Sequence, residues 1–525
     1  MNHAHAAQRT TRSIALVAAA LLCLCVCMLA FPTTAHAART YGQLCEKYES
    51  NGNPYAVDDS NPYGGNVFGA YQMSSGNAVK YAQQLCSKYA TSNPDYAEYG
   101  KQLLAAYEKD GKKCSSNFSK AWKAVFPNQK SAYYQTQYNY VKSAYYTPAK
   151  KLWEKYVPGF DADSPQYSNA IRNVIFSTAV QHGVGGTTTQ PDGSSAYTGS
   201  VKMFVNAINS LGGYSSKLTE EQIIAAVYAE RSKVVTVADK KQQLRDVGYS
   251  NADIKSMSFY KIKDSDIPTY LKNSLTKKLV GKCLSYFYSN PGVVQVGVFN
   301  RLGIGEPAAA KALLESYQAK DYAISYHLDG GTNSADNPAS HKGGSTVKLA
   351  QPEKQGYRFL GWFSKKDGKG DQVESVGGFT AASVYAFWEK VVFQISYQLN
   401  GGTLAGNYKN EFHVDDKTFK LPVPTRSGYL FQGWYTTKSF KDGTQISKVA
   451  KGTAEDLKLY AKWVKGYYAK VSCKGGLTVR AKASTSAAAK GLLKNGSKVI
   501  ITKTSKGWGK LAEGGWVKLS YTKKL

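Results

Sequence analysis

Apolar residues recur at three-and-four spacing through the first part of the chain, in "SAYYQTQYNYVKSAYY", "NAIRNVIFSTAVQH", "EEQIIAAVYAER" and "EPAAAKALLESYQ". That spacing puts the apolar positions on one helical face, and it predicts a mainly α-helical domain over residues 38–320. The period then changes. "AISYHLDGGT" at 323–332 returns as "QISYQLNGGT" at 394–403, with Ile324 and Ile395 separated by 71 residues. "GYRFLGWF" returns as "GYLFQGWY", and "VYAFWEK" as "LYAKWVK". Short alternating strands broken by Asp-Gly-Gly or Asn-Gly-Gly turns predict two small β-modules, at 322–390 and 394–464, with the paired Tyr and Trp as core anchors. From residue 466 to 525, short strands alternate with Gly, Ser and Asn turns, which predicts a third β-module.

The segment "YESNGNPYAVDDSNPYGGNVFGAYQ" gathers Glu49, Asp58 and Asp59 ahead of glycines, tyrosines and a glutamine. Thr40-x-x-Gln43 reads as a capping box, with Tyr41, Leu44, Cys45 and Tyr48 on one face of the helix it opens. The helix should stop at Ser50-Asn51-Gly52, which leaves Glu49 in its last turn. A carboxylate there faces the negative end of the helix dipole, and Tyr48 and its apolar neighbours reduce its solvation. Both effects raise a carboxyl pKa, as a general acid serving a glycosidic oxygen requires. A surface glutamate at a frayed helix end would look the same in sequence.

At the N-terminus, Arg9 and Arg12 precede the apolar run "SIALVAAALLCLCVCMLAF", and "AHA" stands at 35–37. This is the layout of a secretory signal over residues 1–37, so the mature chain is expected outside the cell. The balance of 67 Lys and Arg against 37 Asp and Glu, net +30, favours polyanionic partners. Export directs that preference to wall polymers rather than nucleic acid, with no membrane contact after signal removal. Cys45, Cys86, Cys114, Cys283 and Cys473 remain after cleavage, an odd set in which a disulfide among the first three is expected. No Cys-x-x-Cys spacing appears, and the chain calls for no metal and no cofactor.

Glu49-Ser50 at a helix end, then a glycine-containing loop, then "GAYQ" at 69–72, resembles the lysozyme-like superfamily of peptidoglycan hydrolases, including goose-type lysozymes and lytic transglycosylases. "TAVQHGVGG" at 178–186 and "AVYAER" at 226–231 look like elements of a phage- and secretion-associated branch. The resemblance implies a lysozyme-like fold with Glu49 as catalytic acid, and a cleft lined by Tyr48, Ser50, Tyr71 and Gln72 with Gln181 and His182 supporting its floor; core packing of Tyr71 and a structural role for His182 fit the sequence as well. Asp58 has the spacing of the second carboxylate of phage-type lysozymes, and Asp59 is its neighbour, although Gly64 replaces their threonine. Hydrolysis and transglycosylation both stay open, since a transglycosylase uses the substrate's own hydroxyl. Glu230 reads as a structural ion-pair partner of Arg231.

The two repeats resemble the Listeria–Bacteroides (B-type) repeat of Gram-positive surface proteins, which implies ubiquitin-like β-grasp spacers or adhesive modules. The segment "LTVRAKAS" through "GWGKLAEGGWVKLSY" resembles the bacterial SH3 domain. Thirteen basic residues against Glu513 alone from Tyr467 onward suit an SH3-like barrel that holds anionic wall polymers or stem peptides. The whole then reads as a secreted, non-covalently wall-associated muramidase or lytic transglycosylase. Three rivals stand beside it: a cysteine peptidase of peptidoglycan stems, a non-catalytic adhesin, and a glycosidase of another polymer such as chitosan. The last fits a strongly basic chain poorly, because chitosan is itself cationic.

Overall fold

The computed structural model describes residues 41–59 and 66–525, so the expected signal at 1–37, Thr40 and Gly64 lie outside the described residues. The chain divides into two compact units. The first runs through Ala323 and includes Ser340–Val347 and Val376–Ala382; the second holds the remainder.

Helices build the first unit. Its centre is Asn169–His182, buried from Ala170 to Ala179 apart from Arg172, with the polar Asn173, Ser177 and Thr178 enclosed among the apolar residues. Ser168 caps it by accepting from the Ala170 amide. Buried Glu220 accepts from the Ser168 and Ile171 amides, so a carboxylate meets the positive helix end. Asn173 of the same helix reaches the start of the Gln43–Glu49 helix, where its Oδ1 accepts from the amides of Gly42 (2.8 Å) and Leu44 (3.3 Å). This corrects the Thr40-x-x-Gln43 capping box: Gly42 is the N-cap residue, in a left-handed conformation, and the cap arrives from elsewhere in the fold.

Between the helix Glu220–Arg231 and the helix Glu306–Ala319 lies a segment with a small core of its own, containing Ile262, Ile267, Leu275, Leu279, Leu284, Val296 and Phe299. Strands Val234–Thr236 and Lys282–Leu284 pair at its base. Its exit is a π-helical turn, Asn300–Gly305, that runs directly into Glu306–Ala319.

The expected disulfide among Cys45, Cys86 and Cys114 does not form; all five described cysteines are free. Cys45 is sealed in the core, while the Cys86 and Cys114 thiols face the carbonyls of Ala97 and Ser75 on separate elements. Burial pushes the Cys45 thiol well above its ordinary value, with the Glu49 charge adding to the effect. No activated thiolate stands there.

The second unit is built of strands. In the second repeat, Phe393–Gln398 runs parallel to Leu457–Lys465, which pairs antiparallel with Tyr429–Tyr435 across a bulge between Phe431 and Gly433. The first repeat pairs Tyr357–Phe363 with Ala382–Lys390 across the equivalent bulge between Phe359 and Gly361. Trp362 and Trp434 are buried, with their indole N–H groups donating to the carbonyls of Ala350 and Pro422. The core anchors thus carry satisfied polar tips. Residues 467–524 form a seven-stranded sheet around Ala469, Val471, Leu477, Val479, Ile501, Leu511 and Val517.

Candidate functional site

Glu49 is the last residue of its helix, and Ser50 closes the helix through its amide on the Glu46 carbonyl. The Ser50 hydroxyl donates to the Ala70 carbonyl (2.9 Å), tying the helix end to the "GAYQ" turn. Buried Gln137 pins that turn from below: its Oε1 accepts from the Ala70 amide and its Nε2 donates to the Pro54 carbonyl. Gly69 has φ +78°, and a Cβ there would stand 2.4 Å from Gln137 Oε1, so only glycine fits. Gln72 ends the turn with φ +49°, a left-handed conformation that costs a non-glycine residue about 1 kcal/mol.

The Glu49 carboxylate meets the Arg301 guanidinium, with Oε1 2.7 Å from Nη2. The contact is an ion pair. Arg301 turns its Nε to Glu306 Oε1 at 2.6 Å. Glu306 Oε2 in turn takes Arg231 Nη1 (3.1 Å), the Ser177 hydroxyl (2.7 Å) and the Tyr228 hydroxyl (3.1 Å). Four charged side chains from three parts of the sequence therefore form one line: Glu49, Arg301, Glu306, Arg231. The π turn adds a residue to the helical winding at the position that carries Arg301. Gly305, four residues on, packs under Tyr48, where a Cβ would come 2.8 Å from the hydroxyl.

Burial raises the Glu49 carboxyl above the ordinary range; the Arg301 charge opposes this and the Glu306 charge adds to it. For Glu306, burial also acts upward, but the guanidiniums of Arg231 and Arg301 and the Ser177 hydroxyl outweigh it, so its carboxyl lies below the ordinary range. Burial lifts the Tyr48 hydroxyl to about 12. His182 is held well below its ordinary value, first by burial and then by the charges of Arg231 and Arg301, and so is neutral. Its ring rests against Tyr286 and Phe287. Among the described residues, Gln181 Oε1, His182 Nε2 and Arg231 Nε are buried polar atoms that take no hydrogen-bond partner from the protein.

Other expected site residues fall differently. Tyr71 does not line a cleft: it is 2 % exposed, with its ring against Phe176 and its hydroxyl bonded to that of Tyr134. It is a core residue because the turn pinned by Gln137 directs it inward. Asp58 is half-buried on strand Val57–Asp58, opposite Val67, and Asp59 is exposed just beyond it. The partner of Glu49 is an arginine from the far end of the helical unit rather than either aspartate. Glu230 is not the partner of Arg231; its Oε1 accepts from Asn206 and Tyr286 and its Oε2 faces Lys233. Successive helical residues point about 100° apart, which sends the two side chains to different neighbours.

Residues 41–249 match the model of the type VI secretion system spike protein VgrG3-like C-terminal family, and residues 322–386 and 393–462 match the Listeria–Bacteroides repeat domain. A putative Gly-rich membrane protein of Evansella cellulosilytica is 28% identical over 176 residues, covering 32% of this chain and 19% of the relative. A putative membrane protein of the same organism is 26% identical over 158 residues, covering 29% of this chain and 22% of the relative. The chain thus spans about a fifth of the length of these curated relatives. No described helix is long and apolar enough to cross a membrane. Among solved structures, a Bacillus subtilis chitosanase is similar over 39% of this chain and 81% of its own, at 18% identity and a TM-score of 0.25. A Gynuella sunshinyii GH46 chitosanase with chitotetraose is similar over 37% and 74%, at 14% identity and a TM-score of 0.25.

Proposed function

We propose that the chain is a secreted, wall-associated enzyme that cleaves the glycan strands of peptidoglycan, with Glu49 as the general acid. The observation that carries this reading is the setting of Glu49: a largely buried carboxyl at a helix end, with its pKa raised, against one guanidinium. Protonated, it hands its proton to the glycosidic oxygen as the bond to the anomeric carbon breaks. The carboxylate left behind meets the Arg301 charge, which limits the cost of forming an anion in a buried place. Arg301 is in turn held by Glu306, so the guanidinium does not swing away when Glu49 is neutral.

Asp58, or Asp59 beside it, would activate water in an inverting hydrolysis; in a transglycosylase the substrate's own hydroxyl would attack. Gln72, Gln181 and neutral His182 offer amide and imidazole groups to the hydroxyl and acetamido groups of the sugar. The basic C-terminal module, as an SH3-like barrel, would hold anionic wall polymers or stem peptides, with the repeats as β-grasp spacers. Residues 1–37 would direct export.

The test is to incubate the mature chain, and Glu49→Gln beside it, with peptidoglycan and, separately, with chitosan, and to identify released fragments by mass spectrometry. Reducing-end or anhydro-muropeptides from the parent alone are expected, and which of the two appears decides hydrolysis against transglycosylation. Release of chitosan oligomers alone would move the substrate. Equal products from both proteins would remove Glu49 from the chemistry.

A further inference from the structure

The two repeats share a sequence pattern but differ at one surface. In the first repeat a groove of about 710 Å³ is lined by Tyr326, His327, Tyr357, Tyr385, Phe387 and Trp388, with Lys354, Lys366, Lys390, Asp329 and Asp367 among the polar groups. The volume is that of a small-ligand site. His327 and Tyr385 stack face to face, 4.2 Å apart at 8°, so each covers one face of the other and the exposed His327 ring keeps its outer face as a flat aromatic platform. Phe387 packs over Gly368, where a Cβ would stand 2.8 Å from its ring.

Aligned by the shared motifs, the second repeat has Gln398 in place of His327 and Lys462 in place of Phe387. Its corresponding turn also carries Phe440, whose ring lies 5.3 Å from Tyr435 with the Lys462 amine 5.7 Å from its centre. His327 and Phe387 are thus particular to the first repeat, whereas Tyr385 recurs as Tyr460 and none of the tryptophans that anchor the fold differs between the two.

Charge narrows the class of ligand. The chain as a whole carries +30, yet the groove lining sets three lysines against two aspartates. Lys354 is already held by the Asp329 carbonyl and carboxylate and lies over the Tyr357 ring, and Lys390 is paired with Asp415. A polyanion would gain little here. Flat rings for the faces of a pyranose, with donors and acceptors of both kinds at the rim for its hydroxyls, suit a neutral sugar chain. We infer that the first repeat carries a carbohydrate-binding groove for a short stretch of neutral, hydroxyl-rich glycan, and that the second repeat does not.

The experiment is a calorimetric titration of the full chain carrying Glu49→Gln, so that ligand is not consumed, with an N-acetylglucosamine hexasaccharide. The same titration is made on that chain with His327→Gln and Phe387→Lys added. The added residues are those the second repeat already folds with, and His327→Gln alone, at an exposed position, serves as a milder second variant. The surroundings of Glu49 are the same in every protein compared, so the difference reports the groove. The expected result is one binding event weakened roughly tenfold in the double substitution, and by less in the single one. Identical isotherms, no hexasaccharide binding at all, or a platform-dependent affinity for polyphosphate in place of the sugar would each overturn the inference. None of these outcomes depends on whether the chain cleaves glycans.

Discussion

Glu49 and Glu306 share one guanidinium and differ in almost everything else. The Glu306 side chain has no exposed surface and takes two arginines and two hydroxyls; the Glu49 side chain is 14% exposed and is gripped from one side by Arg301. Both are desolvated, yet Glu306 lies below the ordinary carboxyl range and Glu49 above it. The number of donors around each explains the opposite signs. Enough donors make burial compatible with a permanent charge, whereas too few leave the carboxyl ready to hold a proton and to give it up. The first arrangement is scaffolding, and the second suits acid catalysis.

The sharpest separation of the two comes from isosteric amides. Glu49→Gln should lower glycan cleavage by about a hundred- to ten-thousandfold, read as product release, while the melting transition stays close to the parent's. Glu306→Gln should do the reverse in stability: it leaves Arg231 buried without its counter-charge and Arg301 with Glu49 alone, at a cost of about 3–5 kcal/mol in denaturant unfolding. If both amides destabilise equally, the contrast between the two ends of the line is wrong.

Stability against pH should also split them. The folded-state pKa of Glu49 is raised, so its contribution is fully present below the unfolded value of about 4.3 and is lost as pH rises through the folded value. That of Glu306 is lowered, so its contribution is present above about 4.3 and is lost as pH falls through the folded value. Unfolding of the parent and the two amides across that range should show each variant lacking its own limb. The smallest expected effect is at the tether of the Glu49 helix. Ser50→Ala removes the bond to Ala70 and should cost about 1 kcal/mol in unfolding, with a modest loss of activity as the "GAYQ" turn loosens.

The Glu49 end was legible in sequence, because a helix stop at Ser50-Asn51-Gly52 is a local signal and the residue before it falls in the last turn. The repeated motifs likewise gave two similar β-modules, with Trp362 and Trp434 buried as anchors. The Glu306 end was hidden. Arg301 and Glu306 lie far along the chain, past a segment with its own core, and only the fold returns them to the first helix. A glutamate opening the apolar run "EPAAAKALL", five residues after an arginine, was the available signal, and it reads equally well as an ordinary helix start. Tyr71 was misplaced for a related reason: sequence shows a tyrosine beside a glutamine, but only Gln137, distant in the chain, decides which of them turns inward. The cap of the first helix, from Asn173, is the same kind of long-range contact.

The most direct test of the account is the pH dependence of kcat/KM for glycan cleavage by the parent and by Arg301→Gln. A proton-donating Glu49 predicts activity that falls as pH rises through a value above the ordinary carboxyl range. Removing the guanidinium that opposes burial should move this limb to still higher pH. A limb that stays in place when Arg301 is replaced, or activity that does not fall with rising pH, would contradict Glu49 as the acid poised by burial against Arg301.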